Sequence, residues 1–123
     1  MDDMTRILLK RAKKSITNDK MSYLVNLITS NDEDLIVYVD IEFALEIIEM
    51  LNEGKTSLEI KETLKNNLFR YFNDKKISNE KERWMNGFAE RVLSIAEKLY
   101  GYSYEIDKIR EEFFHYSLEY IKK

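Results

Sequence analysis

The chain has no cysteine and no proline, only three glycines, and a single histidine, His115, among its 123 residues. The missing cysteines exclude disulfides, thiolate nucleophiles and every cysteine-based zinc or cluster site. One histidine cannot supply a two-histidine metal centre from a single chain. No apolar run approaches the roughly 20 residues that a membrane helix requires. The first residues, MDDMTRILLKRAKK, hold only three consecutive apolar side chains and so lack the apolar centre of a signal peptide. These absences predict a soluble, cytoplasmic protein with no membrane partner, and they imply no cofactor and no metal. A chain of this length reads as one domain, residues 1–123, large enough to close a core without covalent staples.

With proline absent and glycine scarce, little interrupts a helix, and the apolar spacing agrees. A first helix is predicted from Asp3 to Ile16, with Ile7, Leu8 and Ala12 on its inner face. A turn at Asn18-Asp19 precedes a short helix from Met21 to Thr29. Ser30, Asn31 and Asp32 offer caps for a third helix, in which Leu35, Val39, Phe43, Ile47 and Leu51 recur every four residues, Ile36, Ala44 and Ile48 fill the stripe, and Gly54 marks the end. Thr56 and Glu59 have the spacing of a capping box and open a fourth helix through Leu58, Leu64, Leu68 and Phe72. Ser78 caps a fifth that stops at Gly101, and Ser103 starts a sixth with Ile106 and Ile109 inward. The fold class is therefore an all-α, single-domain bundle of five or six helices. The alternative is local: Tyr23-Leu24-Val25 and Leu35 to Val39 are rich in strand formers, and a β-hairpin over residues 22–39 competes there.

Charge is unevenly spread. The net charge is −3, yet residues 24–53 carry eight carboxylates and no lysine or arginine. On a helix, Glu42, Glu46, Glu49 and Glu53 are spaced four, three and four apart and share one face. Like charges so placed destabilise an isolated helix by roughly 0.2–0.5 kcal/mol per pair. Either the stripe lies beside the basic face of the first helix, formed by Arg6, Lys10, Lys13 and Lys14, or it docks a basic partner, where complementary charge speeds encounter.

Two short patterns carry other chemistry. Arg110-Glu111-Glu112-Phe113-Phe114-His115 has an Arg-x4-His spacing that resembles the active-site motif of the HEPN family, small helical proteins that include metal-independent ribonucleases and toxins. The resemblance implies that Arg110 would stabilise phosphate charge and His115 transfer protons, with the site completed across a dimer. Glu111 and Glu112 oppose it by placing negative charge where phosphate would approach. The stretch from Glu46 to Lys61 resembles the first helix, glycine turn and second-helix start of helix-turn-helix regulators, but the apolar residues that follow leave few side chains to read bases. Nucleic acid is therefore not the expected partner, and neither pattern requires an enzyme.

Five of the eight tyrosines, Tyr100, Tyr102, Tyr104, Tyr116 and Tyr120, fall in the last 24 residues beside Phe113, Phe114 and His115. Tyrosine brings contact area at low entropic cost and is enriched at interface hot spots. The expectation is thus a protein-binding module rather than a catalyst, bound to a basic protein or to a second copy. Glu42, Glu46, Glu49, Glu53, Tyr102, Tyr104 and Tyr116 are the candidate contact residues. Its most concrete form is a small inhibitor of the immunity-protein or antitoxin kind whose acidic helix face meets a nucleic-acid-acting protein. The HEPN-like ribonuclease on Arg110 and His115 is the second expectation and a helix-turn-helix regulator the third.

Overall fold

A helix that is apolar on nearly every side has to be wrapped by others, and the third helix sets the layout for that reason. The computed structural model describes residues 3–30, 35–74 and 81–111, with the backbone alone at 30, 35–37, 68–69, 71–74 and 81–86. Its elements are α1 (Asp3–Lys13), α2 (Asn18–Ser30), α3 (Leu35–Asn52), α4 (Ser57–Asp74) and α5 (Lys81–Tyr100). A sixth helix, α6, is followed over 104–111. No strand occurs among the described residues, and the span 22–30 and 35–39 is helical, so the hairpin alternative does not form.

The centre of the bundle is α3, which packs against α1, α4 and above all α5, while α2 closes against α1 and α5. It buries Tyr38, Ile41, Ala44, Leu45, Ile47 and Ile48, and each large apolar side chain so removed from water contributes about 1.5–3 kcal/mol before entropy is counted. Ala44, Ile47 and Ile48 are buried as the sequence predicts, but the repeat at every fourth residue is not the core stripe. Val39, Phe43 and Leu51 are only partly buried. A strict four-residue repeat drifts by about 40° per step around a helix of 3.6 residues per turn, so it walks off any fixed core. The fully buried positions instead alternate steps of three and four.

The face of α1 differs too. Thr5, Leu8 and Ala12 are buried, whereas Ile7 is 65% exposed. The Thr5 hydroxyl and the Tyr38 hydroxyl share a hydrogen bond of 3.1 Å, which satisfies both inside the core. Leu58 is also outside, because it sits in the first turn of α4 opposite the buried Ile60. α1 ends at Lys13, three residues short of Ile16, and Lys14 to Ile16 close in a tight turn onto Arg11 and Ala12. α2 begins at Asn18, so Asn18 and Asp19 form its first turn rather than a separate bend. Asp19 there suits the positive end of the helix dipole.

The ends of the helices follow local chemistry closely. Thr56 and Glu59 form the reciprocal capping box: the Glu59 amide donates to Thr56 Oγ1 at 3.2 Å and the Thr56 amide to Glu59 Oε1 at 3.3 Å. Gly54 has φ +79° and ends α3 in a Schellman turn, with the Lys55 amide donating to the Met50 carbonyl and the Gly54 amide to that of Leu51. Gly101, φ +99°, ends α5 by one bond from its amide to the Glu97 carbonyl at 2.8 Å. The proposed caps Asn31, Asp32 and Ser78 lie outside the described residues.

Between α3 and α5 the contacts are antiparallel. The Phe43 and Phe88 rings meet edge to face, 5.7 Å between centroids. Three residues earlier on α3, Asp40 is 3% exposed and accepts a hydrogen bond from Arg91 Nε at 3.2 Å. The Arg91 guanidinium also lies 5.4 Å from the centre of the Phe88 ring, so one cation serves both groups.

Candidate functional site

Glu42, Glu46, Glu49 and Glu53 fall within about 60° of one another on the α3 wheel. The neighbours on either side decide what they do. α1 lies along one edge and runs parallel to α3, as Thr5 meets Tyr38, Arg11 meets Glu49, and the Asn52 amide donates to the Ser15 carbonyl at 3.3 Å. α4 lies along the other edge and runs back, with Asn67 reaching Glu46. The four carboxylates therefore line a seam between α1 and α4.

Within that seam they are not equivalent. Arg11 donates through Nε and Nη2 to the two oxygens of Glu49, both at 2.7 Å, a bidentate pair across two helices. The hydrogen bond to Glu49 holds the Arg11 pKa above its ordinary value against the opposing effect of burial, and the fields of Glu49, Glu46 and Glu42 add to it. Glu46 accepts a hydrogen bond from Asn67 Nδ2 at 3.0 Å. Glu42 and Glu53 are exposed. The cation that meets the stripe is thus Arg11, not the expected group of Arg6, Lys10, Lys13 and Lys14. Arg6 pairs with Asp3 of its own helix at 3.0 Å, and Lys10, Lys13 and Lys14 face water. Arg11 had a signal in the sequence: it stands one residue before Ala12 and three after Leu8, at the border of the buried stripe, where a long side chain can reach a neighbouring helix.

The second group is the turn from α5 into α6. Tyr102 is 78% and Tyr104 66% exposed, while Ser103 between them is buried. Ser103 Oγ accepts from the Ile106 amide at 3.4 Å and donates to Glu105 Oε2 at 3.0 Å, so it caps α6. Ile106 and Ile109 anchor that helix in the core. A buried serine flanked by two outward tyrosines is what an extended step into a helix produces, since successive side chains alternate. Tyr116, the third tyrosine expected here, lies outside the described residues.

Arg110 sits among carboxylates. It donates through Nε to Glu90 at 3.2 Å and through Nη1 to Glu97 at 2.9 Å, with Asp107 Oδ1 at 3.6 Å. Burial lowers its pKa, but the hydrogen bond to Glu97 and the charge of Glu90 outweigh this and leave it raised. Here the guanidinium ties α6 to α5. His115, its partner in the Arg-x4-His pattern, lies outside the described residues. Among the described residues no three acidic or histidine side chains converge as ligands for a metal ion, and no helix is long and apolar enough to cross a membrane. A hollow between α3 and α4, walled by Phe43, Met50, Ile60 and Leu64, has no room for a water molecule.

No protein-family model matches the chain, and no curated protein or solved structure shows a significant similarity to it.

Proposed function

We propose that this protein is a binding module for a basic protein, most concretely an inhibitor of the immunity-protein or antitoxin kind, and that the acidic seam of α3 is its contact face. The observation that supports this reading is the uneven use of the four carboxylates. Four negative groups share the seam, and the bidentate pairing of Arg11 with Glu49 is already complete. Glu42 and Glu53 remain in water at either end, and Glu46 is held in place by Asn67. Glu46 and Glu49, held by cross-helix bonds, have less side-chain freedom to lose on association, and the net negative field of the row draws a basic surface at long range. Tyr102 and Tyr104 add an exposed aromatic contact of the type that dominates interfaces.

The test is kinetic. A partner recovered from the source cells with the immobilised chain is purified, and its association with wild type is measured across a salt series. Association should slow as salt rises, because exposed charges are screened beyond about 8–10 Å at physiological ionic strength. Glu42→Gln with Glu53→Gln should slow association further at low salt while dissociation changes little. Association indifferent to both salt and the substitutions rules out the acidic contact face.

A further inference from the structure

The outer side of α1 is basic and apolar at once. α1 packs against α2 and α3 and buries Thr5, Leu8 and Ala12. Lys10 stands on the opposite side of the helix from those three, and Arg6, Ile7 and Lys13 lie within about 60° of it on the wheel. All four are exposed, Ile7 by 65%, and Met4, three residues before Ile7, is 44% exposed. Lys14 is exposed in the turn that follows the helix. Asp3, the carboxylate of α1, is held by Arg6 at 3.0 Å. Among the described residues Lys10, Lys13 and Lys14 meet no carboxylate. In a chain of net charge −3, three unpaired ammonium groups thus share the outer side of one short helix with two exposed apolar side chains.

We propose that this side of α1 docks onto an anionic lipid bilayer, with Ile7 and Met4 entering the headgroup layer and the lysines meeting the acidic headgroups. The inference goes beyond the acidic contact on α3 and does not depend on it. Charge complementarity restricts the occupant to a polyanion, and composition chooses among polyanions. Protein interfaces are enriched in aromatic residues and arginine and depleted in lysine. This side of α1 has no aromatic residue, its outward arginine is tied to Asp3, and its free cations are all lysines. Nucleic acid would be gripped through its phosphates, which leaves Ile7 and Met4 without a role. A bilayer offers anionic headgroups and hydrocarbon to the same helix, and a lysine stem can lie along the apolar layer while its ammonium stays among the headgroups. The same surface repels exposed carboxylates such as Glu42 and Glu53, so the contact is confined to α1, reversible and salt-labile. A helix that lies on a bilayer needs no spanning segment, so the lack of one, from which the sequence predicts no membrane partner, does not bear on this contact.

The probes are vesicles of phosphatidylcholine alone and of phosphatidylcholine with phosphatidylserine, mixed with the full chain and sedimented at low and at high salt. The chain should sediment with the anionic vesicles at low salt, and neither with the neutral ones nor at high salt. Lys10→Gln, Lys13→Gln and Lys14→Gln should weaken binding by about fivefold for each lysine removed. Met4→Ser with Ile7→Ser should weaken it by about tenfold at the same salt, because two apolar side chains no longer enter the bilayer. All five side chains already face water, so melting curves should be unchanged. Vesicle binding that falls with the lysines but ignores the Met4/Ile7 variant overturns the bilayer contact and leaves a general attraction to anions. Soluble poly-glutamate bound as tightly as the vesicles, with the same dependence on Ile7 and Met4, assigns the face to an acidic polypeptide and overturns the lipid. Absence of binding to anionic vesicles, or binding indifferent to the lysines, overturns the proposal as a whole. None of these variants alters Glu42 or Glu53, so either contact can fail without the other.

Discussion

On the side of α3 that faces α5, Asp40 is almost wholly buried and held by Arg91; on the side that faces the seam, Glu42 stands in water two residues later. One helix thus keeps carboxylates in two dielectric environments. The inner one needs its cation, because an isolated buried charge costs several kcal/mol. The outer ones need none, and their mutual repulsion is mild because water screens it. Glu49 is intermediate, about a third exposed and bonded at both oxygens. The comparison teaches that the acidic content of this helix is not one feature: Asp40 belongs to the core, Glu46 and Glu49 to the joints between helices, and Glu42 and Glu53 to the surface.

Substitutions can break this ranking. The largest loss should follow Ile48→Ala, where a fully buried side chain becomes a cavity in the centre of the bundle; about 2–5 kcal/mol is expected in a urea unfolding series. Asp40→Ala should come next at about 1–3 kcal/mol, below the usual cost of breaking a buried pair because Arg91 is about half exposed and can rehydrate. A neutral result would mean that Asp40 was not paying for its burial through Arg91. Arg11→Ala should cost about 1 kcal/mol, since the bidentate pair is strong in geometry but open to solvent. Glu49→Gln should reproduce part of that loss, and the double variant should lose less than the sum of the two. Glu42→Gln with Glu53→Gln should change stability by no more than about 0.5 kcal/mol in either direction. A loss as large as that of Arg11→Ala in this last pair would erase the distinction between joint and surface carboxylates.

Much of this could be read in advance where the cause is local. The capping box at Thr56 and Glu59, the left-handed stops at Gly54 and Gly101 and the serine cap at Ser103 involve groups within six residues of one another, and each forms as its pattern predicts. Ile7 and Leu58 misled for the opposite reason. Both are apolar at helical spacing from core residues, yet whether such a residue is covered depends on which neighbouring helix lies over it. The stripe of Glu42, Glu46, Glu49 and Glu53 was legible as a stripe, but its division was not.

By itself, then, the sequence determined an all-helical chain, its capped ends, and the segregation of eight carboxylates away from every lysine and arginine in residues 24–53. Those properties come from backbone freedom and from hydrogen bonds made within a turn or two. Only the tertiary structure decided that Arg11 would cross to Glu49, 38 residues away, that Asn67 would hold Glu46, and that Met4 and Ile7 would be left exposed. The reason is geometric: a helix offers a partner on every side of its wheel, and which side meets α1, α4 or α5 is chosen by the packing of the whole bundle, not by any segment within it.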